Sequence, residues 1–103
     1  MKYLVLGWDG KDKDARKRRL KVREAHIKLG NKLRSKGYMD FGVAILDEQK
    51  RMIGSMLVCE FSSKKELNKW LAVEPYVQGM VWKRIEIHPC RVGPSFSDIR
   101  ELK

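Results

Sequence analysis

The sequence predicts a single α+β domain in which two helices cover one face of a four-stranded antiparallel sheet. Its 103 residues suit one domain and are too few for two. Hydrophobic residues make up 43% of the chain, which is enough to build a core. Strand-like and helix-like apolar patterns follow one another in the order β-α-β-β-α-β. Because crossovers are right-handed, this order is typical of a split βαβ arrangement with both helices on one side.

The first elements in this order are a strand and a long helix. Apolar side chains alternate over residues 2–8, which predicts a strand that ends at Asp9 and Gly10. Residues 12–35 then carry a helical apolar stripe, and Gly37 suits the position just after the end of a helix. We therefore expect the helix to pack against the first strand.

The middle of the chain predicts a β-hairpin. Residues 41–46 and 52–61 are apolar runs typical of strands, and the polar residues 47–51 form a connection short enough for a hairpin. Two strands joined in this way pair in the antiparallel direction.

A second helix and a fourth strand complete the domain. Ser63 and Glu66 have capping-box spacing, which predicts the start of the helix. The helix ends before Pro75, because proline disfavours a helical conformation in the residue that precedes it. Residues 81–88 alternate as a strand, and we expect Pro89 to stop it.

Residues 1–91 contain all of these elements and form the predicted domain, and residues 92–103 form a C-terminal tail. Cys59 and Cys90 are too few for a disulfide framework and lack metal-site spacing, so we expect free thiols, no metal and a cytoplasmic protein. No apolar run approaches the roughly 20 residues of a membrane span. The second face of the sheet remains apolar in part, which predicts a homodimer.

The positive charge is concentrated in one segment. Residues 11–36 contain twelve basic and three acidic side chains and so hold +9 of the formal net charge of +10. Such a segment can track phosphate groups or can be a solvated helix face. The solvated face is favoured, because no aromatic side chains lie among the basic ones, as they do in single-strand binders.

His26 is the leading candidate for a functional residue. On a helical wheel it lies at the margin of the apolar stripe through Val22 and Leu29, with Arg19 and Arg23 on the same flank. One interpretation is a proton-transfer or anion-orienting cluster, since neighbouring cations favour a neutral histidine. The other is a histidine at the core margin beside two solvated arginines.

Five segments of the chain match, in order and spacing, the pattern of a known family. They are residues 3–6, Arg19-Leu20-Lys21-Val22-Arg23-Glu24-Ala25-His26, Gly54-Ser55, Glu74-Pro75-Tyr76-Val77 and Ile87-x-Pro89. In these segments the chain resembles the YciI-like (YCII-related) proteins over residues 2–91.

The resemblance implies a ferredoxin-like fold paired as a dimeric α+β barrel, and cofactor-free proton-transfer chemistry of the lyase, isomerase or dehydrohalogenase type. It implies a catalytic histidine–carboxylate pair, which His26 and Glu74 would form here. The candidate residues for binding a small anionic substrate are Arg19, Arg23, Ser55 and Tyr76. The chain departs from the pattern where Glu74 replaces an aspartate and Gly42-Val43 replaces Gly-Pro.

Three functions stay open at this point. The chain is an enzyme with a His26-centred pocket, or a module that binds the same small anion without turnover. Less favoured is a nucleic-acid binder that uses residues 11–36. The carboxylate partner of His26 also stays open among Glu74, Asp40 and Asp47, although Asp47 lies in a predicted turn. The sequence names neither a substrate nor a reaction.

Overall fold

The computed structural model describes residues 1–96. The elements are β1 (Lys2–Asp9), α1 (Ala15–Ser35), β2 (Met39–Leu46), β3 (Met52–Glu60), α2 (Lys64–Val73), α3 (Pro75–Gln78) and β4 (Trp82–Cys90). A short 3-10 turn follows at Pro94–Phe96. The remainder of the predicted tail lies outside the described residues.

The four strands form one antiparallel sheet in the order β2-β3-β1-β4. Side chains of α1 and α2 pack against the same side of β1, where Tyr3 and Val5 are buried with Leu67 and Trp70. Val22 of α1 packs at the margin of this core. The predicted α+β class, the four-stranded antiparallel sheet and the placement of the helices on one face are therefore confirmed.

Local hydrogen bonds define where α1 ends and where α2 begins. Gly37 adopts φ 85° and its N–H bonds to the carbonyl of Arg34, while the N–H of Tyr38 bonds to the carbonyl of Leu33. This pair of bonds is a Schellman motif, which closes α1 where the sequence predicted. At the start of α2, the Ser63 hydroxyl accepts a hydrogen bond from the Glu66 backbone, as its spacing predicted.

Of the two predictions about prolines, the one for Pro89 needs correction and the one for Pro75 is confirmed. Pro89 does not stop the fourth strand, which continues to Cys90 with Pro89 opposite Tyr3. β4 pairs only with β1 and is an edge strand, where a missing N–H is tolerated. Pro75 does end α2, but it also begins the additional helix α3 as its first residue, a position that suits proline.

Alternate side chains of the strands point away from the helices and form what we call the outer face. Seven apolar residues lie there in cross-strand rows: Leu4, Leu6, Phe41, Val43, Ile45, Met56 and Val58. Phe41 and Val43 are 49% and 41% exposed. Among the described residues, no helix is both long and apolar enough to cross a membrane.

Candidate functional site

A cavity of about 600 Å³ opens between α1 and the strands β2 and β3, on the helical side of the sheet. The predicted residues that line it are Arg19, Arg23, His26, Ser55, Glu74 and Tyr76. The structure therefore brings all six together, although they come from separate parts of the chain. Leu57 and Trp70 add apolar wall to the same cavity.

The centre of the site is a contact between His26 and Glu74. Nδ1 of His26 contacts Oε1 of the Glu74 carboxylate, which also accepts a hydrogen bond of 3.2 Å from the backbone N–H of Tyr76. Glu74 has an extended backbone because Pro75 follows it, and this turn between α2 and α3 directs its carboxylate toward α1. The Glu74 side chain is only 3% exposed, whereas His26 is 19% exposed. With Nδ1 held by the carboxylate, Nε2 is the imidazole nitrogen that remains to exchange a proton.

Aromatic contacts fix the plane of the imidazole. The His26 ring stacks on the Tyr76 ring with 3.8 Å between centroids and 7° between planes. Trp82 meets both rings edge-on, at 6.2 Å from His26 and 5.6 Å from Tyr76. Burial raises the pKa of Tyr76, while Arg19 and Arg23 oppose that shift. The phenol therefore stays neutral near pH 7 and serves as a stacking surface.

Arg19 is almost fully buried and holds protein groups together. Its Nη1 lies 3.0 Å from both carboxylate oxygens of Asp9, and its Nη2 donates to the Ser55 hydroxyl at 3.2 Å and the Gly54 carbonyl at 3.3 Å. Its Cζ lies 4.7 Å from the centre of the Tyr76 ring. Because its guanidinium is occupied by these contacts, Arg19 is better suited to positioning neighbouring residues than to the ligand binding that the sequence predicted.

Arg23 differs from Arg19 in its surroundings. It is exposed at the mouth of the cavity and forms no ion pair with any residue in the described range 1–96. Its guanidinium is therefore the cationic group of the predicted pair that remains available to an anion.

The other two candidate carboxylates have different partners, although Asp40 also lines the cavity. Asp40 forms an ion pair with Lys2. Asp47 accepts hydrogen bonds of 2.9 Å from the backbone of Gln49 and Arg51, and these bonds lower its pKa. Of the three candidates, Glu74 is the one that contacts His26.

Two residues of this site were missed at the level of the sequence. Asp9 was interpreted only as the end of β1, and Trp82 was not selected as a site residue. Trp82 donates from Nε1 to the Ser55 hydroxyl at 3.3 Å. Gly7 was an available signal, because glycine inside a strand indicates a close approach, and a Cβ there would lie 2.3 Å from the Trp82 indole. No comparable signal pointed to Asp9.

The fold and the site define a class of protein: a split βαβ domain whose cleft holds a histidine–carboxylate pair beside an exposed arginine. Within the described range, no group of three or more His, Cys, Asp or Glu side chains is arranged to hold a metal ion. The YCII-related domain family matches residues 1–91, and the chain belongs to this family.

A solved structure shows the same fold. It is 5-chloro-2-hydroxyhydroquinone dehydrochlorinase (TftG) from Burkholderia phenoliruptrix AC1100, in complex with 2,5-dihydroxybenzoquinone. The TM-score is 0.80 at 19% sequence identity, and the match covers 92% of this chain and 98% of the other. A search of curated proteins found no match.

Proposed function

We propose that this protein transfers a proton on a small anionic ligand, without a cofactor, in chemistry of the lyase, isomerase or dehydrohalogenase type. The observation that carries the proposal is the contact of the His26 imidazole with the buried Glu74 carboxylate at the wall of a cavity. A carboxylate on one ring nitrogen fixes the tautomer and stabilises the imidazolium that forms when the other nitrogen takes a proton.

The proposed step begins when Arg23 pairs with an anionic group of the ligand. Nε2 of His26 then removes a proton from an acidic carbon, and the electron pair of that bond forms a new double bond. In an elimination, this electron pair expels a leaving group such as a halide ion. In an isomerisation, the imidazolium returns the proton to another carbon. The complex of the dehydrochlorinase with 2,5-dihydroxybenzoquinone supports cyclic, oxygen-rich carbon acids as the first probes.

The test measures proton transfer directly. Probes such as 2,5-dihydroxybenzoquinone and small anionic lactones are incubated with the protein in D₂O, and mass spectrometry detects deuterium gained at carbon or product formed. Replacing His26→Ala should lower the rate by about 10²–10⁴-fold, the usual contribution of a general base. His88→Ala is the matched control, because His88 is exposed on β4 and does not line the cavity.

Two outcomes would count against the enzyme. If the His26→Ala protein exchanges deuterium as fast as the unmodified protein, the histidine is not the base. If a probe binds at the cavity and returns without deuterium or chemical change, the protein is a binding module, the second function that the sequence left open.

We also propose a homodimer in the cytoplasm. The seven apolar side chains of the outer face support a second copy of the chain as their cover. The two free cysteines support a reducing compartment. Cys59 is buried, which raises the pKa of its thiol to about 12 and makes it unreactive.

A further inference from the structure

A second cavity, of about 930 Å³, lies at the end of the sheet where the β1–α1 loop, the β2–β3 hairpin and the start of β4 meet. We call it the end cleft. It is separate from the His26 cavity, and the only described residue that lines both is Met52. Six basic side chains line the end cleft: Lys11, Lys13, Arg16, Arg51, Lys83 and Arg84.

The carboxylates of the end cleft are already neutralised by arginines. Asp9, Asp12 and Asp47 pair with Arg19, Arg18 and Arg51 respectively. The Arg18 guanidinium holds the pKa of Asp12 far below its usual range. By contrast, four of the cations form no ion pair within residues 1–96: Lys11, Lys13, Arg16 and Lys83. The cleft therefore has a surplus of positive charge that its own residues do not balance.

The loop that carries Lys11 and Lys13 is held in place. Arg18 donates two hydrogen bonds of 2.7 Å to the Asp12 carboxylate and one of 3.1 Å to the Met80 carbonyl. The Gly10 N–H bonds to the Val81 carbonyl. A Cβ at Gly10 would lie 2.8 Å from the Arg18 guanidinium and from the Asp12 carboxylate, so the loop packs closely against both side chains. A fixed loop backbone lowers the cost of ordering this segment on binding.

Part of the lining of the end cleft is apolar. It consists of Trp8, Met52 and Ile53, of which Ile53 is 38% exposed. The Trp8 indole is anchored by its N–H to Glu86 at 2.9 Å, and Arg84 lies 5.7 Å from its centre. A ligand that suits both the cations and the apolar residues combines several negative charges with a flat, weakly polar body.

We propose that the end cleft binds a nucleoside polyphosphate, with its phosphates on the unpaired cations and its base against Trp8 and Ile53. Ammonium and guanidinium groups suit phosphate oxygens, and indoles stack on bases.

The test is titration of the full chain with ATP and with inorganic tripolyphosphate at low salt, by calorimetry and tryptophan fluorescence. The double variant Lys13→Glu/Arg16→Glu should weaken ATP binding by at least about tenfold, because two phosphate contacts become repulsive. The matched control is Lys28→Glu/Lys32→Glu, which changes the same charge on the exposed surface of the same helix outside both cavities. It should weaken binding by less than about threefold.

Four outcomes would overturn the proposal. They are no ATP binding at low salt, equal losses in the two double variants, tripolyphosphate binding as tightly as ATP, and a single-stranded RNA hexamer binding tighter than ATP. Equal losses of ATP affinity in the two double variants, or tighter binding of RNA, would indicate that the basic side chains of α1 bind nucleic acid instead. Circular dichroism verifies that each variant folds. If the Lys13→Glu/Arg16→Glu protein unfolds, the Lys13→Ala/Arg16→Ala protein is used in its place. His26→Ala should bind ATP normally, so this test is independent of the proton-transfer proposal.

Discussion

The buried guanidinium of Arg19 joins three parts of the fold: Asp9 at the end of β1, Ser55 in β3 and the Tyr76 ring. Helical spacing correctly placed Arg19 beside His26, because both lie on one edge of α1. Spacing could not show that this arginine is 2% exposed, since its burial depends on elements that arrive from elsewhere in the chain. A helical wheel predicts the face of the helix on which a side chain lies. The elements that pack against that face determine whether its charge is buried and what it pairs with.

The Asp9–Arg19 pair is predicted to respond differently to single and double replacement. Burial raises the pKa of Asp9 even though the guanidinium opposes the shift, so keeping this pair out of water is costly. Asp9→Ala leaves the buried cation without its carboxylate and should reduce the free energy of unfolding by about 3–5 kcal/mol. The double variant Asp9→Leu/Arg19→Met should recover much of that loss. Urea unfolding measures all three proteins.

Asp12→Ala is the control for this prediction. Asp12 also pairs with an arginine, but its carboxylate is 50% exposed, so its loss should cost much less. A similar cost for Asp9→Ala and Asp12→Ala would show that burial of the Asp9–Arg19 pair does not govern its energetics.

Glu74 shows what a short motif leaves undecided. The sequence offered three carboxylates as partners for His26. The family pattern favoured Glu74 and a predicted turn disfavoured Asp47, but nothing in the sequence gave the distance from any of them to the imidazole. The choice depends on the turn between α2 and α3, which brings Glu74 to α1 across 48 positions of sequence. The pattern has aspartate at this position, and the longer glutamate still reaches the imidazole here.

At the scale of the elements, strands and helices were predictable where the signal was local. The alternation in β1, the capping serine of α2 and the glycine after α1 act within a few residues, and each gave the right element. Pro89 misled because its effect depends on whether β4 has one neighbour or two. Helix α3 was missed because four residues are too short for a periodic pattern.

The packing of Trp82 on β1 gives a prediction about two glycines. A Cβ at Gly7 would lie 2.3 Å from the Trp82 indole, so Gly7→Ala must displace that ring and its bond to Ser55. Overpacking of this kind costs about 1–3 kcal/mol. Gly30, in the middle of α1, has no atom within 4 Å of an added Cβ. Gly30→Ala should therefore stabilise the protein by about 0.5–1 kcal/mol.

Thermal unfolding of both variants measures whether Gly7→Ala lowers and Gly30→Ala raises the stability of the protein. A Gly7→Ala protein as stable as the parent would mean that the indole can move without loss. A destabilised Gly30→Ala protein would mean that the helix is strained at that position.

At the scale of the whole molecule, the topology followed from few rules. Right-handed crossovers and a short hairpin leave little choice for the order β-α-β-β-α-β, and the observed sheet obeys them. The site was less predictable, because its charged pairs join α1 to the end of β1 and to the turn after α2 rather than neighbours within one element. The sheet also has two faces, and the helices cover only one of them.

The outer face gives a prediction about how the proposed homodimer responds to a single charge introduced on that face. Val43 is 41% exposed at the centre of this face, beside Met56 of β3. If a second copy covers the face, Val43→Glu buries a carboxylate without a partner and should convert a dimer into a monomer of 12.1 kDa. Val73→Glu is the control, because Val73 is 55% exposed at the end of α2, on the helical side. Light scattering after size exclusion measures the mass, and circular dichroism verifies that both variants fold. A parent protein that is monomeric at micromolar concentration, or a Val43→Glu protein that remains dimeric, would show that the outer face does not hold the second copy.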